Sequence, residues 1–343
     1  MSTASATAPQ ESLATPPFND PRADVILQSS DGVHFRVFKI ILSFASPIFS
    51  DMFSIPLPAS RNPDSDDDVP VVTVSENAEA LDLSLRHIYP LQTPDTVPLR
   101  DAGLLAEFAH KYQVDALEKS VKRYLVDSIE QDPVGVYAIA VAYGYKGVGK
   151  SAAQSCLNLP FSRLESQFAR CATAEDFAAL LRYHVACGEA ASTVASERTW
   201  FSSLGQSITF MSVGTKAGCG ACTAEDFMDL TSNTYSEPMS HNYYPRSVDE
   251  ASPDRRYGPL CLWSYLHRSA LVLARHPAAE AVAADDFILK AIHCASCPPD
   301  YRRQMLELGG VFGKEIKKAV ELVSMLLYPP FHDDDVCNVQ CSI

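Results

Sequence analysis

The chain has 343 residues, 47% of them hydrophobic and 20% charged, which suits about two domains with buried cores. Its formal charge of −14 argues against a nucleic-acid binder, whose footprint is a basic stripe, and its longest uncharged apolar stretch, at 134–145, is too short to span a bilayer. MSTASATAPQESLATPPFND has no basic start followed by an apolar run, so no secretory signal is expected, and an intracellular protein of the cytoplasm or nucleus is.

The ten cysteines are therefore expected as thiols or metal ligands in a reducing compartment. Residues 1–18, rich in Ser, Thr, Ala and Pro, read as a disordered lead. ADVILQS and VHFRVF then alternate as half-buried strands on either side of Asp31-Gly32, a two-residue hairpin signal. The period changes at KIILSFA, which is apolar at helical spacing. Ser46-Pro47 supplies a cap and a first-turn proline for PIFSDMF, where Ile48, Phe49, Met52 and Phe53 are placed to bury one face.

LPASRNPDSDDDVP is expected to be a surface loop, and VVTVS a third strand. Leu81, Leu85 and Ile88 mark an amphipathic helix that runs into Tyr89-Pro90. Two further helices carry Leu104, Leu105, Phe108 and Ala109, then Leu117, Val121, Tyr124 and Leu125. Beyond residue 128 the chain reads as mostly helical. Thr173 and Thr223 each open a T-A-E-D-F with a side-chain cap and acids in the first turn, and helical stripes cover 260–275 and 314–327. Trp200 and Trp263 sit in apolar helical settings and are expected in the core.

The strand and helix order, with Asp24 on the first strand, the S-P-x-F start at Ser46 to Phe49, the Met52-Phe53 end and the Tyr-Pro after the fourth helix, resembles a BTB/POZ domain over 19–128. The implied fold is an α+β N-terminal domain, a three-stranded sheet with helices, followed by a mostly α-helical C-terminal domain at 129–330 and an acidic tail at 331–343. DPVGVYAIAVAYGY, KSAAQSCLNLPF and FAALLRYHVACGEA resemble the helical region of fungal BTB proteins. The family implies a non-enzymatic adaptor or scaffold that contacts protein partners through Phe49, Met52, Phe53 and Leu57. It also implies presentation of clients to a cullin-type ubiquitin ligase. Two departures stand against the pattern. Phe38 replaces the usual His before Lys39, and Leu57-Pro58-Ala59 lacks the Glu of the apolar-x-Glu triplet through which many such adaptors hold the scaffold. LATPPFNDPR, with three prolines, is not expected to form the helix that strand-swapped BTB dimers use, so a monomer or weak dimer is expected.

Two local motifs carry other chemistry. GYKGVGKS, from Gly144 to Ser151, satisfies the phosphate-loop pattern and supports an alternative reading as a nucleotide-binding enzyme. It lacks a clear strand before it and follows Asp132-Pro133, a helix start, so a turn between two helices is the expectation. Cys219-Gly-Ala-Cys222 and Cys294-Ala-Ser-Cys297 form two C-x-x-C pairs, whose four thiolates match the donor set of one structural zinc. Pro298-Pro299 is expected to stop a helix at the second pair. His184 and Cys187, three apart on an apolar helix, read as packing residues.

Overall fold

The computed structural model describes residues 12–55, 69–197, 200–201, 204, 212–213, 227–229, 256–292 and 299–326. The chain divides into two compact units, the first made of Met1–Ala152, Ser166–Thr173 and Phe331–Ile343, the second of Ala153–Glu165 and Ala174–Pro330.

The first unit holds a four-stranded sheet in the order β1-β3-β2-β4. β2 (Val25–Gln28) and β3 (Val33–Val37) are the expected antiparallel hairpin, turned at Gly32 with a positive φ of 87°. β4 (Val71–Thr73) pairs parallel with β2. The fourth strand was not expected: β1 (Ser12–Leu13) pairs parallel with β3, and Phe18 is fully buried against Phe35 and Tyr89. Residues 12–18, part of the anticipated lead, thus belong to the fold, because Phe18 is a core residue that composition alone conceals. Between Ser12 and Asp24 there is a strand and turns but no helix, as the prolines require.

Five helices complete the expected element order. α1 (Lys39–Ala45) and α2 (Pro47–Ser54) follow β3, and α3 (Ala78–Ile88) follows β4, capped by Asn77, whose side chain accepts from the Ala80 amide at 2.9 Å. α4 (Leu99–Tyr112) and α5 (Asp115–Asp127) bury the leucines and aromatics placed on their stripes, with Leu105, Phe108, Val121 and Tyr124 at 1% exposure or less.

This unit does not stop at residue 128. α6 (Pro133–Ala142) packs on α4 and α5 and on a 3-10 turn at Ala169–Cys171. It is apolar around its whole circumference and nearly every residue is buried, as a helix of that composition demands. Asp132 caps it, accepting from the Gly135 amide at 2.8 Å and from the Ser166 hydroxyl at 2.6 Å. Buried Cys171 is disulfide-bonded, a departure from the expectation of thiols or metal ligands. α7 (Lys146–Cys156) follows a turn at Gly144.

In the second unit α8 (Ala174–Glu197) buries Leu180, Tyr183, His184, Cys187, Gly188 and Ala191 at intervals of three and four. Gly188 is required there: a Cβ would lie 2.7 Å from the Ala274 carbonyl oxygen. A small antiparallel sheet follows in the order β5-β7-β6, built from β5 (Ser212–Val213), β6 (Phe227–Asp229) and β7 (Arg256–Pro259). The second T-A-E-D-F therefore ends in a strand rather than a helix. Pairing with β7 prevails there over a local cap signal worth about 1 kcal/mol.

α9 (Leu260–Leu273), α10 (Glu280–Ala283), α11 (Asp285–Leu289) and α12 (Pro299–Leu326) close the unit. Pro299 opens α12, the position where a missing amide costs least, and the helix end expected before it lies outside the described residues. The core gathers Trp200, Tyr265, Leu273, Phe312 and Ile316. Trp200 stacks on Phe312 with centroids 5.2 Å apart, whereas Trp263 is only half-buried and stacks on His267. No helix among the described residues is long and apolar enough to cross a membrane.

One carboxylate of the first unit opposes folding at neutral pH. Burial, with the nearby Glu76 charge, pushes the Glu107 carboxyl above its ordinary range, while Lys111 offsets part of the rise. A raised folded-state value means that ionisation costs stability as pH climbs from the ordinary carboxylate range. Glu107→Gln should therefore raise the thermal midpoint at pH 7, and the gain should vanish near pH 4, as melts of both proteins at the two pH values will show.

Candidate interaction surface

α1 enters from Phe38 in extended conformation, with no side-chain cap of its own. Its first amides need outside acceptors. Asp24 on the approach to β2 takes the Lys39 amide at 2.8 Å, and the Tyr89 hydroxyl takes the Phe38 amide at 2.9 Å. The family-like Asp24 and the Tyr of Tyr89-Pro90 thus share one task, fixing where α1 begins. Burial pushes the Tyr89 phenol up from its ordinary value, so it remains a neutral partner.

The α1–α2 junction turns on Ser46, which is 1% exposed. Its hydroxyl donates to the Tyr112 carbonyl at the end of α4 and accepts from the Phe49 amide, capping α2 ahead of Pro47. Phe49 then stacks on Tyr112 at 4.4 Å with an interplanar angle of 6°, and on Phe53 at 5.8 Å. The Tyr112 hydroxyl continues the network by donating to Glu76 at 2.8 Å, and Lys111 pairs with the other oxygen of Glu76 at 2.6 Å.

This geometry divides the sequence-predicted partner residues. Phe49 has no exposed surface: it is a core residue, and the expectation that it touches a partner is corrected. Met52 and Phe53 are half-buried and keep part of their surface outside. Leu57 lies outside the described residues, as do most of the acidic loop, the acidic tail and all four cysteines Cys219, Cys222, Cys294 and Cys297. Among the described residues, no group of three or more His, Cys, Asp or Glu could hold a metal. His184 and Cys187 are buried as packing residues, with the His184 Nε2 held 3.0 Å from the Leu159 carbonyl.

The outward apolar residues are ones that the family-like pattern does not mark. Of α1 only Leu42 is buried, while Ile40 is 61% and Phe44 87% exposed, four residues apart on one face. Ile55, just past α2, is 65% exposed. The signal was in KIILSFA itself: its run of apolar residues exceeds what one face can bury, so a second face must meet solvent or a partner.

The phosphate-loop string has a different fate. Gly144, with φ at 73°, ends α6, and Lys146 already opens α7. Gly149 donates its amide to the Tyr145 carbonyl at 3.0 Å, and the Ser151 hydroxyl donates to Gly147 at 3.3 Å. A phosphate cradle needs such amides pointing free from a loop between strand and helix. Here a helix precedes the string, and helical bonding takes up its groups.

Comparison with known proteins agrees with this architecture. A family profile for the BTB/POZ domain matches residues 18–129. Residues 18–129 are a BTB/POZ domain. Two relatives share it: Kelch repeat and BTB domain-containing protein 8 of Xenopus tropicalis is 28% identical over 132 residues, 38% of this chain and 20% of that protein. Its human counterpart is 27% identical over 129 residues, 37% of this chain. The chain therefore spans only a fifth of those relatives' length, 20% in each case. BTB domains generally act as protein-interaction adaptors, which fits a domain that exposes apolar helix positions beside a tightly bonded core.

Ser46→Ala should test the junction. It removes the cap on α2 and leaves the buried Tyr112 carbonyl without that donor, a combined loss of about 1–3 kcal/mol. Urea melts should show a lower midpoint with an unchanged slope.

Proposed function

We propose that the chain is a non-enzymatic adaptor or scaffold that binds protein partners through the α1–α2 face of its BTB domain. The observation that carries this reading is the outward pair Ile40 and Phe44, with Met52, Phe53 and Ile55 on the following helix and just past it. Apolar side chains set in a polar surround are the usual core of a protein–protein contact. We propose a monomer or weak dimer in isolation, because no helix forms at residues 12–24 to support strand exchange.

Presentation of clients to a cullin-type scaffold is the specific form of this proposal. Leu57 keeps the apolar anchor of the adaptor triplet, and Ala59 stands where the carboxylate belongs. A charged hydrogen bond at an interface is worth about 1.5–3 kcal/mol, or roughly 10–100-fold in affinity. Calorimetric titration of the full chain with a purified cullin N-terminal domain should give weak binding. Ala59→Glu should strengthen it by about that factor, and Met52→Asp should weaken it at least tenfold. Absence of binding by both the wild-type chain and the Ala59→Glu variant would refute the cullin route.

We also propose that Cys219, Cys222, Cys294 and Cys297 hold one structural zinc, supported by the pairing of two C-x-x-C motifs. Metal analysis of chelator-free protein should find close to one zinc per chain, lost in Cys294→Ser together with thermal stability. Metal-free wild-type protein of unchanged stability would refute it.

A further inference from the structure

Cys171 is 1% exposed and disulfide-bonded. It closes the 3-10 turn Ala169–Cys171, which a chain of hydrogen bonds holds in place. The Cys171 amide donates to the Phe168 carbonyl at 2.9 Å, and the Phe168 amide donates to the Ser166 hydroxyl at 3.1 Å. That hydroxyl donates in turn to Asp132, the cap of α6, at 2.6 Å. The sulfur therefore sits on a turn fastened to the start of α6.

The chain's ten cysteines leave few partners for it. Cys156 and Cys187 are free, buried thiols, so neither is the partner. A disulfide holds its two Cα atoms about 4.4–6.8 Å apart, so bonded residues fall within one compact unit. The first unit, made of Met1–Ala152, Ser166–Thr173 and Phe331–Ile343, has Cys337 and Cys341 as its other cysteines. Cys219, Cys222, Cys261, Cys294 and Cys297 all belong to the second.

We infer that Cys171 bonds to Cys337 or Cys341 and that this disulfide is a redox-responsive tether for the acidic tail. Where thiols are otherwise kept reduced, as the sequence leads us to expect here, a disulfide is usually transient and redox-sensing. Closure takes two electrons and two protons from the paired thiols. Oxidised glutathione accepts them through a mixed disulfide and leaves as two reduced molecules, and opening is the reverse exchange. Cys171 is buried, so an outside thiol reaches the bond through the tail sulfur. The tail also supplies a second cysteine, four residues from the first, which can resolve a mixed disulfide. Cys187 does not compete, because burial pushes its thiol up to about 11 and leaves it without a nucleophilic thiolate at neutral pH. The closed bond fastens a segment that carries Asp333, Asp334 and Asp335 to the unit that contains the BTB domain, and reduction releases it. It also closes a long loop, which restricts the unfolded chain and stabilises the oxidised form.

The test equilibrates the purified full-length chain in reduced or oxidised glutathione, blocks free thiols with N-ethylmaleimide and digests with trypsin without reductant. Cleavage after Arg and Lys places Cys171 on the peptide 171–182 and both tail cysteines on 319–343. Mass spectrometry should find these two peptides joined, at least tenfold more abundantly from the oxidised buffer. Oxidation should also raise the thermal midpoint of the wild-type chain. A Cys337→Ser, Cys341→Ser double variant should lose that rise and keep the midpoint of the reduced chain. Cys171 joined to a cysteine of the second unit, Cys171 left unlinked in oxidised glutathione, or a joined pair equally abundant in both buffers would overturn the inference. So would a midpoint rise that the double variant retains. None of these outcomes depends on the adaptor reading, which the cullin titration tests separately.

Discussion

The first unit depends on one buried hydroxyl. Ser46 joins the start of α2 to the end of α4 by donating to Tyr112 and accepting from Phe49. With that junction fixed, the Phe49 ring stacks parallel on Tyr112, and Tyr112 is tied in turn to Glu76 beyond β4. A single polar atom thereby fixes α2, which has only eight residues, against the end of α4. A helix as short as α2 does not persist without tertiary contacts. The same alignment decides which side chains are free for binding, since Phe49 is consumed in the core while Ile40 and Phe44 on α1 are turned outward.

Much of this was legible in the sequence because the periods are clean. The alternation in VILQ and VHFRV gave the hairpin. Ser46-Pro47 gave the start of α2, and the three-and-four spacing of Leu104, Leu105, Phe108 and Ala109 placed the buried face of α4. The features that escaped are those set by long-range contacts. Phe18 lies in a Pro-rich stretch whose composition suggests no structure, yet it fills a gap beside Phe35 and Tyr89. The two T-A-E-D-F copies are identical as strings. One opens α8 at Ala174, whereas Phe227 of the other begins β6, which pairs with β7.

The candidate site shows the same division. The family resemblance marks Phe49 as a contact, but its burial follows from the Tyr112 ring, which is far away in sequence. Ile40 and Phe44 carry no motif at all and are exposed because α1 has more apolar residues than its one covered face needs. GYKGVGKS misleads for a related reason. Its glycines suit a phosphate turn and a helix boundary equally, and the buried, fully apolar α6 before it settles the matter in favour of the helix. Candidate contact surfaces are thus found by asking which apolar groups the core leaves over.

The central claim is that the α1 face of the BTB domain is a protein-contact surface. Its most direct test is incorporation of benzoylphenylalanine at position 44 of the full chain, with irradiation in the cells that make it and a matched control at exposed Lys119 on α5. The account predicts discrete cross-linked protein species from position 44 that are absent from position 119. Equal or absent cross-linking at the two positions, in protein of normal stability, would contradict it.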